Sequence, residues 1–193
     1  MTKRYAPSEH RATLGRLSEA PAPRRLFFAL WCQEALWLRG GRVLLARFSA
    51  QDAKALVDAR EAMWREALGG PFAAVRADVL RVLQDFSVHE DDFSGEVRCA
   101  SDLADLLELT AQETGWTEAA IRAGIVTVHQ IFYFLQEIAA DKDSDSSPLV
   151  LREVSRQSVM IDALLQGPPT PEMRHSGREV SLFARNEHEG DDL

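Results

Sequence analysis

The first polar cluster with the potential for chemistry contains His89, Asp91 and Asp92. Paired carboxylates beside a histidine can act as general acids and bases when they face a pocket. Ser94 follows two residues later and is typical of the residue that caps the start of a helix. The pattern therefore favours an exposed, solvated loop before a helix, with acid–base chemistry as the alternative.

The second polar cluster, Asp141, Asp143 and Asp145, has the alternating carboxylates of a calcium-binding loop. A loop of that kind needs glycine at its sixth position and a bidentate glutamate at its twelfth. Ser146 and Arg152 occupy those positions, so calcium ligation is not predicted. We expect an acidic interhelical loop whose charge complements the positive N-terminal end of the next helix.

One face of a predicted helix over 118–139 combines polar and aromatic side chains at i, i+3, i+4 and i+7 spacing. This face contains Arg122, Val126, His129, Gln130, Tyr133 and Glu137. It lies opposite an apolar stripe and should therefore point away from the core. Either it is an ordinary solvent-exposed face, or it binds another protein, because Tyr and Arg recur among the residues that dominate binding energy.

The spacing of the histidines and cysteines predicts neither a metal nor a cofactor. The five histidines include no HxxxH or HExxH pair, and Cys32 and Cys99 have no partner at CxxC or CxxH spacing. No nucleophile elbow, Walker loop or dinucleotide fingerprint is present in the sequence. We expect two buried thiols and a protein without a catalytic site.

Charge is unevenly distributed along the 193 residues, whose net charge is −8. Residues 1–25 carry six Lys and Arg against two Glu, residues 26–166 carry thirteen basic against twenty-two acidic side chains, and residues 167–193 carry three against six. An acidic body repels nucleic acid and anionic lipid and attracts a basic partner. The longest apolar run is too short to span a bilayer and no signal-peptide pattern precedes it, so we expect a cytoplasmic protein without a membrane or nucleic-acid partner.

The hydrophobic pattern has a helical period throughout and predicts an all-α, single-domain helical bundle. Gly and Pro divide it into about six main helices, over 22–39, 50–68, 71–86, 95–114, 118–139 and 148–165. The first is apolar nearly all round, as expected of a central helix, and Gly40-Gly41 is expected to end it. Gly124 weakens its own helix, which makes sense only if another helix passes close by.

The composition also changes towards both ends of the chain. We expect residues 21–166 to form the bundle, between a flexible segment over 1–20 and a largely disordered tail over 167–193. The tail is rich in Pro, Glu and Arg, and Val180, Leu182 and Phe183 are its only apolar cluster. A segment of this composition buries too little apolar surface to offset the entropy of ordering.

Three segments resemble, in order, helices of the YjaG-like bacterial family, a domain of unknown function. Residues 25–36, RLFFALWCQEAL, are similar to its first helix, residues 121–137 to its threonine-bearing penultimate helix, and residues 147–165 to its Pro-initiated last helix. The resemblance covers about residues 20–166. It implies an all-α bundle and brings no catalytic residues with it.

The opening helix is also similar to that of all-helical immunity proteins of bacterial toxin systems, through its Ala, Trp, Cys and Glu residues. This similarity implies a noncatalytic, acidic protein-binding module that inhibits a toxin domain. On this hypothesis the candidate binding residues are Asp91, Asp92, Arg122, His129, Tyr133, Glu137, Asp141, Asp143 and Asp145.

Two alternatives remain open. The chain could be an enzyme or a small-molecule binder with a pocket between helices, which convergent His89, Asp91, Asp92 or His129 would favour. It could also be a structural homodimer or larger homo-oligomer, because two of its four tryptophans, Trp37 and Trp116, fall near predicted helix ends.

Overall fold

The structure is a computed structural model that describes residues 4–71, 76–84, 86, 95–112, 115–139 and 147–178. Within these ranges the chain forms eight α-helices, one 3-10 turn (Arg16–Glu19) and no strand. The helices are α1 (Pro7–Gly15), α2 (Ala22–Leu45), α3 (Ala50–Ala67), α4 (Arg76–Leu83), α5 (Gly95–Gln112), α6 (Thr117–Ala139), α7 (Pro148–Gln166) and α8 (Pro171–Ser176). The predicted all-α class is confirmed, and the two helices beyond the predicted six, α1 and α8, lie near the termini.

Helix α2 is the central element of the bundle. It packs against α3, α5, α6 and α7. Every residue from 26 to 36 is buried, including the polar Gln33 and Glu34. Trp31 lies in the middle of this run and is 1% exposed. A helix that is apolar all round must be surrounded by other elements, so the sequence pattern and the packing agree.

The expectation that Gly40-Gly41 ends this helix is wrong, because α2 continues to Leu45. A Cβ atom on Gly40 would lie 2.5 Å from the backbone nitrogen of Ala100 in α5 and 2.7 Å from the carbonyl carbon of Cys99. Gly40 therefore lies where the backbones of α2 and α5 cross in close contact. The need for this approach outweighs the lower helix propensity of glycine, about 1 kcal/mol relative to alanine.

We expect Gly40→Ala to destabilise the protein by about 1–3 kcal/mol, as overpacking does, because the obstacle is backbone that cannot rotate away. Urea unfolding measures the change. Gly15→Ala is the matched control, since nothing lies within 4 Å of a Cβ atom there, and it should leave stability unchanged or slightly higher. Equal unfolding midpoints for the two variants would contradict this close crossing.

Gly124 in α6 marks a second close approach, as its place in a helix predicts. A Cβ atom on Gly124 would lie 2.7 Å from Cδ2 of Leu14 in α1 and 2.8 Å from Oε1 of Gln157 in α7. Helices α1 and α7 therefore meet over the same part of α6.

The structure differs from the flexible segment predicted over 1–20, because residues 7–19 are helical. Leu14 and Leu17 are completely buried, and His10 is 2% exposed. Pro7 stands in the first turn of α1, where its missing N–H leaves no hydrogen bond unmade. The segment is mostly polar, which suggested disorder, but these few side chains anchor it to the bundle.

The structure also differs from the disordered tail predicted over 167–193, as far as residue 178. The Thr170 hydroxyl caps α8, and the turn that follows packs so closely on α2 that a Cβ atom on Gly177 would lie 2.8 Å from the carbonyl oxygen of Trp31. The contacts of this segment are largely polar, so its sequence carried no apolar signal. Residues 179–193, which include the predicted apolar cluster, lie outside the described residues.

Ser49 and Ser147 cap α3 and α7, since each hydroxyl accepts a hydrogen bond from a backbone N–H of the first turn. The predicted cap at Ser94 lies outside the described residues.

Trp116, directly before α6, has a left-handed backbone conformation (φ 55°). That conformation costs about 1–3 kcal/mol in a residue other than glycine, and the buried indole holds it, because its Nε1 donates to the carbonyl oxygen of Thr110 at 3.0 Å.

Candidate functional site

The residues predicted to bind a partner divide between the described and the remaining parts of the chain. Asp91, Asp92, Asp141, Asp143 and Asp145 lie outside the described residues. Glu137 belongs to α6, but the structure describes only the backbone of this residue. The other three residues, Arg122, His129 and Tyr133, are exposed on α6, where the helical period places them.

Tyr133 presents a partly exposed ring beside a cation. The residue is 41% exposed, and the guanidinium carbon of Arg98 in α5 lies 4.2 Å from the ring centre. The electron-rich ring face attracts a guanidinium by about 0.5–1 kcal/mol at an exposed site. The cation therefore helps to fix the orientation of the ring while part of the ring remains open to solvent.

Gln130 does not belong to this exposed face, contrary to its place in the predicted stripe. It is 2% exposed. Its amide nitrogen donates to the carboxylate of Asp102 in α5, and its carbonyl oxygen accepts from the thiol of Cys99 at 3.1 Å. Helix α5 covers this side of α6, a tertiary contact that periodicity within one helix does not indicate.

Asp102 brings a carboxylate to the edge of the same surface. Burial raises its pKa above the ordinary value, and the Gln130 hydrogen bond and three nearby basic side chains partly offset that effect. The basic side chains are Arg98, His129 and Arg122. We call the set Arg98, Asp102, Arg122, His129 and Tyr133 the α5–α6 surface.

A cavity of about 250 Å³ opens between α1 and α7. Its lining includes several polar side chains, among them Arg4, Tyr5, Glu9, His10, Thr13, Ser155 and Ser158. His129, which a pocket of the predicted kind would use, does not line it. The cavity is thus a second candidate site, which sequence reasoning missed because the first twenty residues were expected to be flexible.

His10 lies in the inner wall of this cavity, and its tautomer follows from its partners. The amide nitrogen of Gln157 donates to Gly124 O at 3.1 Å and to the Glu153 carboxylate at 2.9 Å. The amide oxygen of Gln157 therefore accepts from Nε2 of His10 at 2.9 Å. Nδ1 of His10 then accepts from the Tyr5 hydroxyl at 3.1 Å. Burial lowers the pKa of His10, so the neutral ring fits this network.

The lowered pKa of His10 predicts that acid destabilises the fold. The unfolded chain takes up a proton at the ordinary pKa of 6.5, whereas the folded chain takes it up at lower pH. The contribution of the neutral His10 ring to folding stability is therefore fully present above pH 6.5. It is lost as the pH falls towards the lowered pKa of His10 in the folded chain. In urea unfolding at about pH 7.5 and about pH 5.5, we expect His10→Gln to lose less stability on acidification than the wild type does. Identical pH dependence of His10→Gln and the wild type would contradict the assignment.

A buried charge cluster lies where α8 meets α2 and α3. Glu34 is completely buried and accepts from Nη2 of Arg60 at 2.8 Å. Nε of Arg178 donates to its other oxygen at 3.1 Å, and Nε of Arg174 lies 3.6 Å from the first. Arg174 also donates two hydrogen bonds to Glu61, which lower the pKa of that carboxyl. Three guanidinium groups therefore surround one buried carboxylate.

Sequence reasoning missed this cluster because its members come from three separate helices and from the turn after α8. One signal was available: Glu34 is the one carboxylate in the run 26–36, and a buried carboxylate needs a cation beside it. The linear sequence does not show that Arg60 and two arginines of the expected disordered tail would be the partners.

In the parts of the chain that the structure describes, no group of three or more His, Cys, Asp or Glu side chains could hold a metal ion. Both cysteines are buried, and they do not form a disulfide. Burial raises the pKa of Cys32 well above its ordinary value, so that this residue is a protonated core thiol at neutral pH.

No family model, curated protein or solved structure matches this chain. The resemblance to the YjaG-like family and the similarity to immunity proteins therefore stay predictions. Among the described helices, none is both long enough and apolar enough to cross a membrane.

Proposed function

We propose that this protein is a noncatalytic protein-binding module that contacts its partner through the α5–α6 surface. The observation that carries the proposal is the 41% exposed Tyr133 beside the Arg98 guanidinium. Tyr and Arg are among the residue types most enriched where a few side chains dominate the energy of an interface.

The packing beneath this surface suits a preformed contact. The buried Gln130 joins Cys99 and Asp102 of α5 to α6. The ring and its cation therefore come from elements that the core holds in place, and little conformational entropy is lost when a partner covers them. Arg122 and His129 are exposed on the same helix and supply the polar rim that interfaces commonly have.

The charge of the whole chain favours a basic partner, although the α5–α6 surface itself has two arginines against one carboxylate. The whole chain carries a net charge of −8, and opposite charges on two proteins accelerate their association. A toxin domain that an immunity-type inhibitor neutralises is a partner of this kind, and the similarity of the opening helix to immunity proteins supports that form of the proposal.

Affinity capture from the source cell tests the proposal with the wild type, Tyr133→Ala and Val159→Ala. Val159 in α7 is the matched control, because it is an apolar residue that is 67% exposed on another helix. We expect Val159→Ala to retain a partner that Tyr133→Ala loses by about tenfold or more, since a central aromatic residue commonly contributes at least about 2 kcal/mol. Equal retention by both variants would contradict the proposal.

The cavity between α1 and α7 supports a second candidate function, the binding of a small polar molecule. Its volume of about 250 Å³ is slightly below the roughly 300–1,000 Å³ of typical ligand pockets, and Tyr5, Thr13 and Ser158 contribute hydroxyl groups to its lining. Ser158→Phe should fill the cavity. A small molecule that raises the melting temperature of the wild type and not of Ser158→Phe would favour this function; a screen without such a molecule would count against it.

The homo-oligomer hypothesis rests on the tryptophans, and these belong to the core. Trp31, Trp64 and Trp116 are buried, and Trp37 is partly buried beneath Arg60, whose guanidinium carbon lies 4.5 Å from its ring centre. Light scattering over a range of concentrations tests self-association directly, and a mass that rises with concentration would support it.

A further inference from the structure

We propose that the surface of α2 and α3 beneath α8 is an arginine-recognition site for a basic segment of another protein, and that α8 fills this site in the isolated chain. We call Glu34, Glu61 and Trp64 the arginine site. This site shares no residue with the α5–α6 surface, so either surface can bind a partner without the other.

The arginine site holds Arg174 by features that only arginine offers. Nη1 of Arg174 donates to Oε2 of Glu61 at 2.9 Å, and Nη2 donates to Oε1 of the same carboxylate. The guanidinium carbon lies 4.7 Å from the ring centre of Trp64. A planar fork can pair with both carboxylate oxygens while its face stacks on an aromatic ring, and a lysine ammonium can do neither.

The two carboxylates of the arginine site favour a basic occupant. Without α8, Glu34 and Glu61 face the single positive charge of Arg60, and one negative charge is left over. Glu34 pairs with Arg60 at 2.8 Å, so the excess charge belongs to Glu61, whose half-exposed carboxylate attracts an incoming cation. Arg174 and Arg178 supply this cation in the isolated chain.

Segment 171–178 closes the site without satisfying all of its buried polar atoms. Nε1 of Trp64 and Nε of Arg60 have no hydrogen-bond partner within the described part of the chain. The two residues are 0% and 3% exposed. A buried donor without an acceptor costs free energy. Among the described residues, two buried donors at or beside the site therefore stay unpaired when α8 fills it.

The attachment of α8 relies on polar contacts that another chain could reproduce. None of its six residues is buried, and Met173 is the member that packs against the main apolar cluster. Ser176 accepts from Nε1 of Trp31 at 3.0 Å through its hydroxyl and from Arg156 at 2.9 Å through its carbonyl oxygen. Arg174 and Arg178 are four residues apart. A segment with two arginines at this spacing could make the same two contacts with the carboxylates of the arginine site.

Fluorescence anisotropy with the full chain tests the site. The variant Arg174→Gln/Arg178→Gln keeps the whole sequence but removes both internal guanidinium groups. The labelled probes are a peptide of residues 168–178 and an unrelated Gly/Ala peptide with two arginines at the same spacing. We expect both probes to bind the variant at least about tenfold more tightly than the wild type, because a tethered competitor acts at an effective concentration of the order of mM.

Two controls separate arginine recognition from attraction by net charge. Replacement of both peptide arginines by lysine should weaken binding at least about tenfold, since the fork and the stacking are lost. Adding Glu61→Gln to the variant chain should also weaken binding, whereas Asp58→Asn, at an exposed carboxylate of the same helix, should leave it unchanged.

Three results would overturn the arginine site. They are the absence of binding to a folded double variant, equal binding of arginine and lysine peptides, and binding of the chain's own peptide alone, which would make α8 an internal latch.

If the double variant does not fold, Arg178→Gln alone replaces it, because that side chain is 48% exposed. This single variant should bind the probes with an affinity between those of the wild type and the double variant, and no gain over the wild type would equally overturn the site.

Discussion

Replacing Glu34 by alanine is expected to lower the free energy of unfolding by about 3–5 kcal/mol, because it removes the carboxylate that is hydrogen-bonded to the buried guanidinium of Arg60 and leaves only the longer contact with Glu61 at 4.0 Å. Arg60 is 3% exposed, so water cannot take the place of the carboxylate. The loss would be a large part of the roughly 5–15 kcal/mol that stabilises an ordinary domain. Denaturant unfolding followed by circular dichroism measures it.

Glu34→Gln and Asp58→Ala are the informative comparisons. Glu34→Gln keeps the size and one hydrogen-bond acceptor, so it should fall between the wild type and Glu34→Ala. Asp58 pairs with Lys54 at the surface, where both side chains are mostly exposed, and its removal should cost less than about 0.5 kcal/mol. A Glu34→Ala variant as stable as Asp58→Ala would show that Glu34 is not paired in the core.

Trp31→Ala is expected to cost about 3–5 kcal/mol as well, because it opens a cavity in the central helix. The residue is 1% exposed. Its ring lies 3.8 Å below the guanidinium carbon of Arg156, and its Nε1 donates to Ser176. The substitution therefore removes core packing and one anchor of α8 together. The melting temperature should fall by about 10 °C or more.

Leu38→Ala is the matched control for Trp31→Ala, since it shortens a side chain of the same helix that is 44% exposed. It should change stability by less than about 1 kcal/mol. If Trp31→Ala melted within a degree or two of Leu38→Ala, helix α2 could not be the centre of the bundle.

The helices α2 to α7 were predictable because their signals are local. The hydrophobic period indicates each helix and a capping serine indicates where some of them begin. Both signals are patterns among residues that are close together in the sequence. The terminal helices α1 and α8 could not be found in this way. Their positions depend on a few contacts between residues far apart in sequence, such as His10 with Gln157 and Arg178 with Glu34.

The candidate surface was predictable to the extent that one helix defines it. The period of α6 places Arg122, His129 and Tyr133 on an exposed face, and the structure confirms that they are exposed. The period of a single helix could not show that α5 would cover Gln130 or bring Arg98 to Tyr133, because the crossing of two helices depends on residues far apart in sequence. Gly40 is a similar case: its sequence context indicates a helix end, and only the crossing with α5 explains why the helix continues.

The dissociation rate constant of the partner complex tests the proposed α5–α6 surface most directly. Once a captured partner is purified, its complexes with Tyr133→Ala and Val159→Ala can be compared by surface-based binding kinetics. If Tyr133 is the central contact, the Tyr133→Ala complex should dissociate at least about tenfold faster, because losses at an interface appear mainly in the rate of dissociation. Equal dissociation rates for the two variants would contradict the account and place the interface elsewhere on the molecule.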